Sequence, residues 1–281
     1  MNKIINPKSL PLATAIAGLL GFGLRIWTLS GGTDREGLYT FQLLPWVLLW
    51  IVTAALPVLI ILMSKPLKEP VKFAENYPPS IISAMGSLLG ALGIALSAWD
   101  ILQAYQRAPF AQDTLALLTA LLGFVAAVLM ALVAYFRLKG NKPNFLCHVS
   151  VCLYLALKIF HQCKAWSNEP QISVFLFPFL AELLVMLAAY HLSTFDADLG
   201  KRPASLLWSL WAVYLCLVAL PDTNEILFYG LCAIWLMTNI CSLRPAKKRK
   251  AATQEPTKSV QAQMSSSDVS LDELKTWLDE E

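Results

Sequence analysis

The chain has 281 residues, 57% of them hydrophobic and only 15% charged, with a formal net charge of +3 and a mean hydropathy of +0.56. A soluble domain carries about a quarter charged residues. Here the apolar residues gather in runs of about 18 to 25, the length that crosses a hydrocarbon layer about 30 Å thick, which excludes a soluble globular fold and indicates an integral membrane protein surrounded by the lipid bilayer.

Eight spans are expected: 9–29, 41–63, 80–103, 114–136, 145–163, 172–193, 204–220 and 225–243. Within lipid a segment must satisfy its own backbone hydrogen bonds, so each span is read as a helix. The two-residue alternation of barrel strands is absent. The expected fold class is therefore an all-α, eight-helix transmembrane bundle over 1–243, followed by a cytoplasmic tail over 244–281.

The first span follows Lys3 and Lys8 as a signal peptide would. No small-residue cleavage pattern follows it and seven more spans do, so it reads as a retained helix. Arg25 lies inside it, where a charge costs about 3 kcal/mol on insertion scales. Gly21, Gly18 and Thr14 share its helical face, a small-residue stripe that lets another helix approach closely. The third span carries a matching stripe of Gly86, Gly90, Gly93, Ser97 and Asp100. Matching depth, face and sign predict an Arg25–Asp100 pair between the first and third spans.

The fifth span contains Lys158, on one face with Cys147, Tyr154 and His161. Both Arg25 and Lys158 also have a bland reading, in which they snorkel to the outer interface. The sixth span carries Glu182 near its middle, four residues after Pro178, in "FPFLAELLVM". A proline removes a backbone donor, and an acid beside a helix break near the midplane is an arrangement met in transporters. The competing structural reading is a protonated Glu182 bonded to a neighbouring helix. Asp222 lies just beyond the seventh span.

The cysteines Cys147, Cys152, Cys163, Cys216, Cys232 and Cys241 form no C-x-x-C and read as small buried hydrophobes. His148, His161 and His191 lie in no metal-binding spacing, and no P-loop or nucleophile elbow occurs, so neither a metal, a cofactor nor a catalytic residue is expected. Trp27, Trp46, Trp99 and Trp166 mark one interface, and Trp208 and Trp211 the other.

Lysine and arginine are unevenly shared between the two sides. Lys3, Lys8, Lys65, Lys68, Lys72, Arg137, Lys139, Lys142, Lys201, Arg202 and the tail fall on one; Arg35, Arg107 and Lys164 fall on the other. The positive-inside rule then puts both termini in the cytoplasm. Compact loops without an N-x-S/T acceptor point to a bacterial cytoplasmic membrane.

A shift of 133 residues places "LRIW" (24–27) on "LKIF" (157–160), Glu36 on Glu169, Pro45 on Pro178, and "KEP" (68–70) on "KRP" (201–203). These matches make 1–137 and 141–243 candidate parallel four-helix repeats.

In the tail, "RPAKKRK" is a juxtamembrane basic cluster suited to anionic lipid headgroups rather than nucleic acid. Residues 251–267 read as a disordered linker. Ser270 and Glu273 then match a capping box, and Leu271, Leu274, Trp277 and Leu278 fall on one helical face. That face is what a groove on a cytoplasmic protein would bind.

Two function classes follow. One is a transporter or small-ligand permease, with Glu182 central and Arg25, Asp100 and Lys158 on its outer side. The other is a membrane anchor or scaffold that recruits a cytoplasmic partner through Leu271, Leu274, Trp277 and Leu278. An enzyme ranks third.

Overall fold

The computed structural model describes residues 9–31, 41–64, 73–107, 113–167, 172–222 and 225–244. The described residues form α1 (Ser9–Leu29), α2 (Leu43–Ser64), the short α3 (Phe73–Asn76), α4 (Ile81–Arg107), α5 (Thr114–Lys139), α6 (Leu146–Trp166), α7 (Leu176–Asp196), α8 (Arg202–Ala219) and α9 (Ile226–Cys241). Single 3-10 turns at Ile172–Phe175 and Leu220–Asp222 precede α7 and follow α8. No strand occurs among the described residues.

Seven of these helices are long and apolar enough to cross a membrane, and the eighth apolar helix, α9, has 16 residues. At 1.5 Å per residue α9 rises about 24 Å, a little short of a full hydrocarbon crossing. The molecule is an all-helical membrane bundle. Its outer surface carries exposed Leu12, Leu19, Leu44, Ile51, Ile82 and Leu121, the side chains that lipid solvates. Leu271, Leu274, Trp277 and Leu278, with the terminal helix expected there, lie outside the described residues.

The helix neighbours close on themselves. α4 packs on α5, α5 on α6, α6 on α7, α7 on α8, α8 on α9, and α9 on α4, giving a ring of six. α1 and α2 pack on each other and dock from outside on α8. The packing thus groups the helices as six plus two.

Small residues decide both joints. A Cβ added to Gly90 would lie 2.8 Å from Trp235 Cγ of α9, and one added to Gly21 would lie 2.7 Å from Val218 Cγ2 of α8. The expectation that the α1 and α4 stripes face each other is therefore corrected: the α1 stripe receives α8, and the α4 stripe receives α9. The hollow over the α1 stripe is filled by Leu217, Val218 and Tyr214 of α8, and that over the α4 stripe by Leu231, Trp235 and Thr238 of α9, at close-packed distances.

The termini of α5 show why it stops and starts where it does. Asp113 caps its first turn by accepting from the Leu115 N–H at 3.3 Å. Gly140, with φ of 71°, ends it in the left-handed region that glycine adopts without strain, and the Asn141 N–H closes on the Phe136 carbonyl.

Candidate functional site

Two polar clusters lie at opposite ends of the six-helix ring. The first is built on Lys158 of α6, whose ammonium is fully buried. It reaches Glu182 Oε1 of α7 at 3.0 Å and Glu225 Oε2, at the start of α9, at 2.5 Å. The same Glu182 oxygen accepts from the Tyr229 hydroxyl at 2.8 Å and from Gln162 Nε2 at 3.0 Å. Ser97 of α4 donates to Glu225 Oε2 at 2.8 Å. Beneath the ammonium, the Phe228 ring centre lies 3.6 Å from Nζ. Groups of α6, α7 and α9 thus meet at one ammonium, and α4 joins them through Glu225.

Access grades across the cluster. The Lys158 and Glu182 side chains are 0% exposed, while that of Glu225 is 23% exposed. Glu182 Oε2 is buried and makes no hydrogen bond. Lys158 therefore bridges a sealed carboxylate to one that reaches the surface. Isolated ions are excluded from such surroundings, and paired, hydrogen-bonded ones are tolerated.

The helix break expected beside Glu182 is not where Glu182 is. α7 begins at Leu176, so Pro178 is its third residue and Glu182 lies in its second turn. Amide groups in the first turn of a helix have no intrahelical acceptor, so a proline there costs little. The carbonyl four residues earlier, Val174 O, accepts instead from Arg25 Nη2 at 3.3 Å.

Arg25 is 1% exposed. Its Nε lies 2.8 Å from Asp222 Oδ1 and 2.9 Å from Oδ2, and its guanidinium stacks over Phe177 with 4.9 Å to the ring centre. The expected Arg25–Asp100 pair is therefore corrected to Arg25–Asp222. Asp100 is exposed on α4, and α1 packs on α8, whose 3-10 extension carries Asp222. Arg25 and Lys158 do not snorkel: both are buried and paired with acids from the short segment 222–225 between α8 and α9.

The second cluster occupies the opposite end, where the chain carries Arg137, Lys139, Lys142, Lys201 and Arg202. His148 of α6 and Asp196 of α7, both fully buried, meet with Nδ1 to Oδ2 at 2.5 Å. The His148 ring stacks on Trp235, with centres 6.2 Å apart. Arg137 and Arg202, read from the sequence as surface charges, are 2% and 4% exposed. Arg137 lies over the Tyr77 ring at 3.9 Å and the Phe73 ring at 4.9 Å. The segment of Phe73 and Tyr77 is itself buried, tied by the Phe73 N–H to Asp198 Oδ1 at 2.8 Å and by the Ser80 N–H to the Arg137 carbonyl. Asp198 also pairs with Lys142.

Glu225, Tyr229, Gln162, Asp196 and the buried Arg137 were not singled out by sequence reasoning. Glu225 had one available signal, its place three residues after Asp222 at a span edge. Among the described residues no group of three or more His, Cys, Asp or Glu is placed to hold a metal ion. All six cysteines are unpaired thiols. No protein family, curated protein or solved structure matches the chain.

Proposed function

We propose that this membrane bundle is a permease that moves a proton or small cation, with or without a coupled small ligand, along the axis of its six-helix ring. The observation that carries the reading is the Lys158 ammonium held between buried Glu182 and partly exposed Glu225. Ionisable groups inside a membrane are expensive and mark ion and proton paths. A purely structural role is met as well by apolar side chains of similar volume. Glu225 receives the ion from one surface, Lys158 exchanges its partner, and Glu182 takes the charge into the ring.

The ring supplies the remainder of a path. His148 and Lys158 are ten residues apart on α6, so about 15 Å of helix separates the two polar clusters. Tyr154, fully buried, lies between them along α6. Arg25, paired to Asp222, holds the α8–α9 connection that positions Glu225. Asp100 has no part in this path. The Lys and Arg distribution orients the protein with its Arg137–Arg202 end in the cytoplasm of a bacterial cell.

The test uses the proton as probe. The full chain is reconstituted into liposomes holding a pH-sensitive dye, and a potassium diffusion potential is imposed. Wild-type vesicles are expected to change internal pH faster than protein-free vesicles, Glu182→Gln to return the rate to the protein-free value, and Asp100→Asn to leave it unchanged. Equal rates with and without wild-type protein would overturn proton movement, and an unaltered Glu182→Gln would remove Glu182 from the path.

A further inference from the structure

We propose that the end of the ring opposite Glu182 holds a binding site for a phosphate group, with Arg137 as its central ligand and Arg202 beside it. The site adjoins the His148–Asp196 end of the proposed path, and its test reads anion binding rather than ion movement. Arg137 sits in the last turn of α5, three residues before the Gly140 cap. Its Nε, Nη1 and Nη2 are all buried, and none makes a well-aligned hydrogen bond, although Tyr77 is close enough to interact with the guanidinium. A guanidinium offers five N–H donors in a planar fork and keeps its charge in any protein environment. The Tyr77 and Phe73 faces cover it from one side and satisfy its charge in part. A ring face accepts no fork of hydrogen bonds, so the donors still call for oxygen atoms.

The surrounding acid does not supply them. Asp196 is within electrostatic reach of Arg137, yet its Oδ2 is committed to His148 and it makes no hydrogen bond to the guanidinium. Arg202, buried at 4%, acts on the same Tyr77 that Arg137 stacks on. Among the described residues the nearby aspartates are engaged elsewhere, Asp196 with His148 through Oδ2 and Asp198 with Lys142 and the Phe73 N–H. A tetrahedral oxyanion matches the two buried arginines, because it brings several acceptor oxygens and the missing negative charge together.

The phosphate can belong to a free anion or to a phospholipid headgroup. Arg137 is about 3 Å of helix rise from the end of α5, the depth at which headgroups meet a spanning bundle. Both sources use the same chemistry, and the experiment separates them.

The full-length protein is purified in detergent. Binding of radiolabelled inorganic phosphate is measured by equilibrium dialysis, and retained phospholipid by native mass spectrometry. The expected result is saturable phosphate binding, a retained phospholipid, or both. Phosphate alone assigns a free anion, and lipid alone assigns the headgroup. Arg137→Lys keeps the charge but loses the fork and is expected to weaken binding at least tenfold. Arg202→Gln, a second variant in case the first does not fold, is expected to weaken it as well. Wild-type protein that binds neither probe would overturn the site. So would binding undiminished in Arg137→Lys, or undiminished in Arg202→Gln if that is the variant that folds.

Discussion

Arg25 of α1 and Asp222, 197 residues later, meet through two contacts of 2.8 and 2.9 Å, and their side chains are 1% and 0% exposed. This pair fastens the peripheral α1–α2 hairpin to the end of the ring. Removing one partner strands a buried charge, which typically costs about 3–5 kcal/mol, whereas removing both leaves only a packing defect. Asp222→Ala is expected to lower stability within that range in thermal unfolding. The double variant Arg25→Leu/Asp222→Leu is expected to recover more than half of the loss, and Asp100→Asn to change stability by less than about 0.5 kcal/mol. A double variant no better than Asp222→Ala would contradict the pairing.

The α4–α9 joint makes a prediction about volume. Gly90→Ala drives its Cβ to 2.8 Å from Trp235 Cγ, a rigid ring, while Gly23→Ala meets nothing within 4 Å. Overpacking of this kind costs about 1–3 kcal/mol. Guest-free unfolding of the two variants in one detergent checks it: Gly90→Ala should fall below wild type and Gly23→Ala should match it.

Lys158 keeps Glu182 and Glu225 company, and its loss should change their chemistry rather than their position. With Lys158→Met, Glu182 faces only the neutral donors Tyr229 and Gln162. A buried carboxyl without a cation takes up a proton. Infrared difference spectra are expected to show a protonated carboxyl stretch in Lys158→Met, absent from wild type and lost again in Lys158→Met/Glu182→Gln. A band that survives in the double variant would belong to another acid.

Asp113 offers a pH test outside the spans. It caps α5 and pairs with Lys164 at 3.1 Å, and the Lys164 hydrogen bond holds its carboxyl below the ordinary value of 3.8. A lowered folded value means that the unfolded chain binds the proton first. The stabilisation is therefore complete above the ordinary value and is lost as pH falls through the lower one. Asp113→Asn keeps a good cap and removes the charge, so its deficit against wild type should be small at neutral pH, as for an exposed pair, and should vanish in acid. Asp113→Ala should cost about 1 kcal/mol more at every pH, because the cap goes too. Chemical denaturation curves at neutral and acid pH report both.

The apolar spans were legible because their signal is local. A run of 18 or more apolar residues has one low-energy state in lipid, and the ends of α5, expected over 114–136 and found at Thr114–Lys139, carry local caps at Asp113 and Gly140. At the same offset of 133, α2 and α7 start 133 residues apart, and Pro45 and Pro178 are each the third residue of their helix. The same sequence reading also singled out Arg25, Lys158 and Glu182, since a charge inside such a run stands out wherever it ends up.

Which acid each base would meet was a different kind of question. Asp100 and Asp222 both lie near the depth of Arg25, and periodicity ranks them by face alone. The partner was decided by which helix fills the hollow over Gly18 and Gly21, and Leu217, Val218 and Tyr214 of α8 do so. The same packing brings Glu225 to Lys158 and buries Arg137 under Tyr77. Sequence by itself determined an all-helical membrane protein, the approximate positions of its spans and three of the buried charges that need partners, Arg25, Lys158 and Glu182. Only the tertiary structure decided the six-plus-two arrangement and every ion pair in it, because close packing selects among helix neighbours by volume, and volume complementarity between distant segments leaves no periodic trace along the chain.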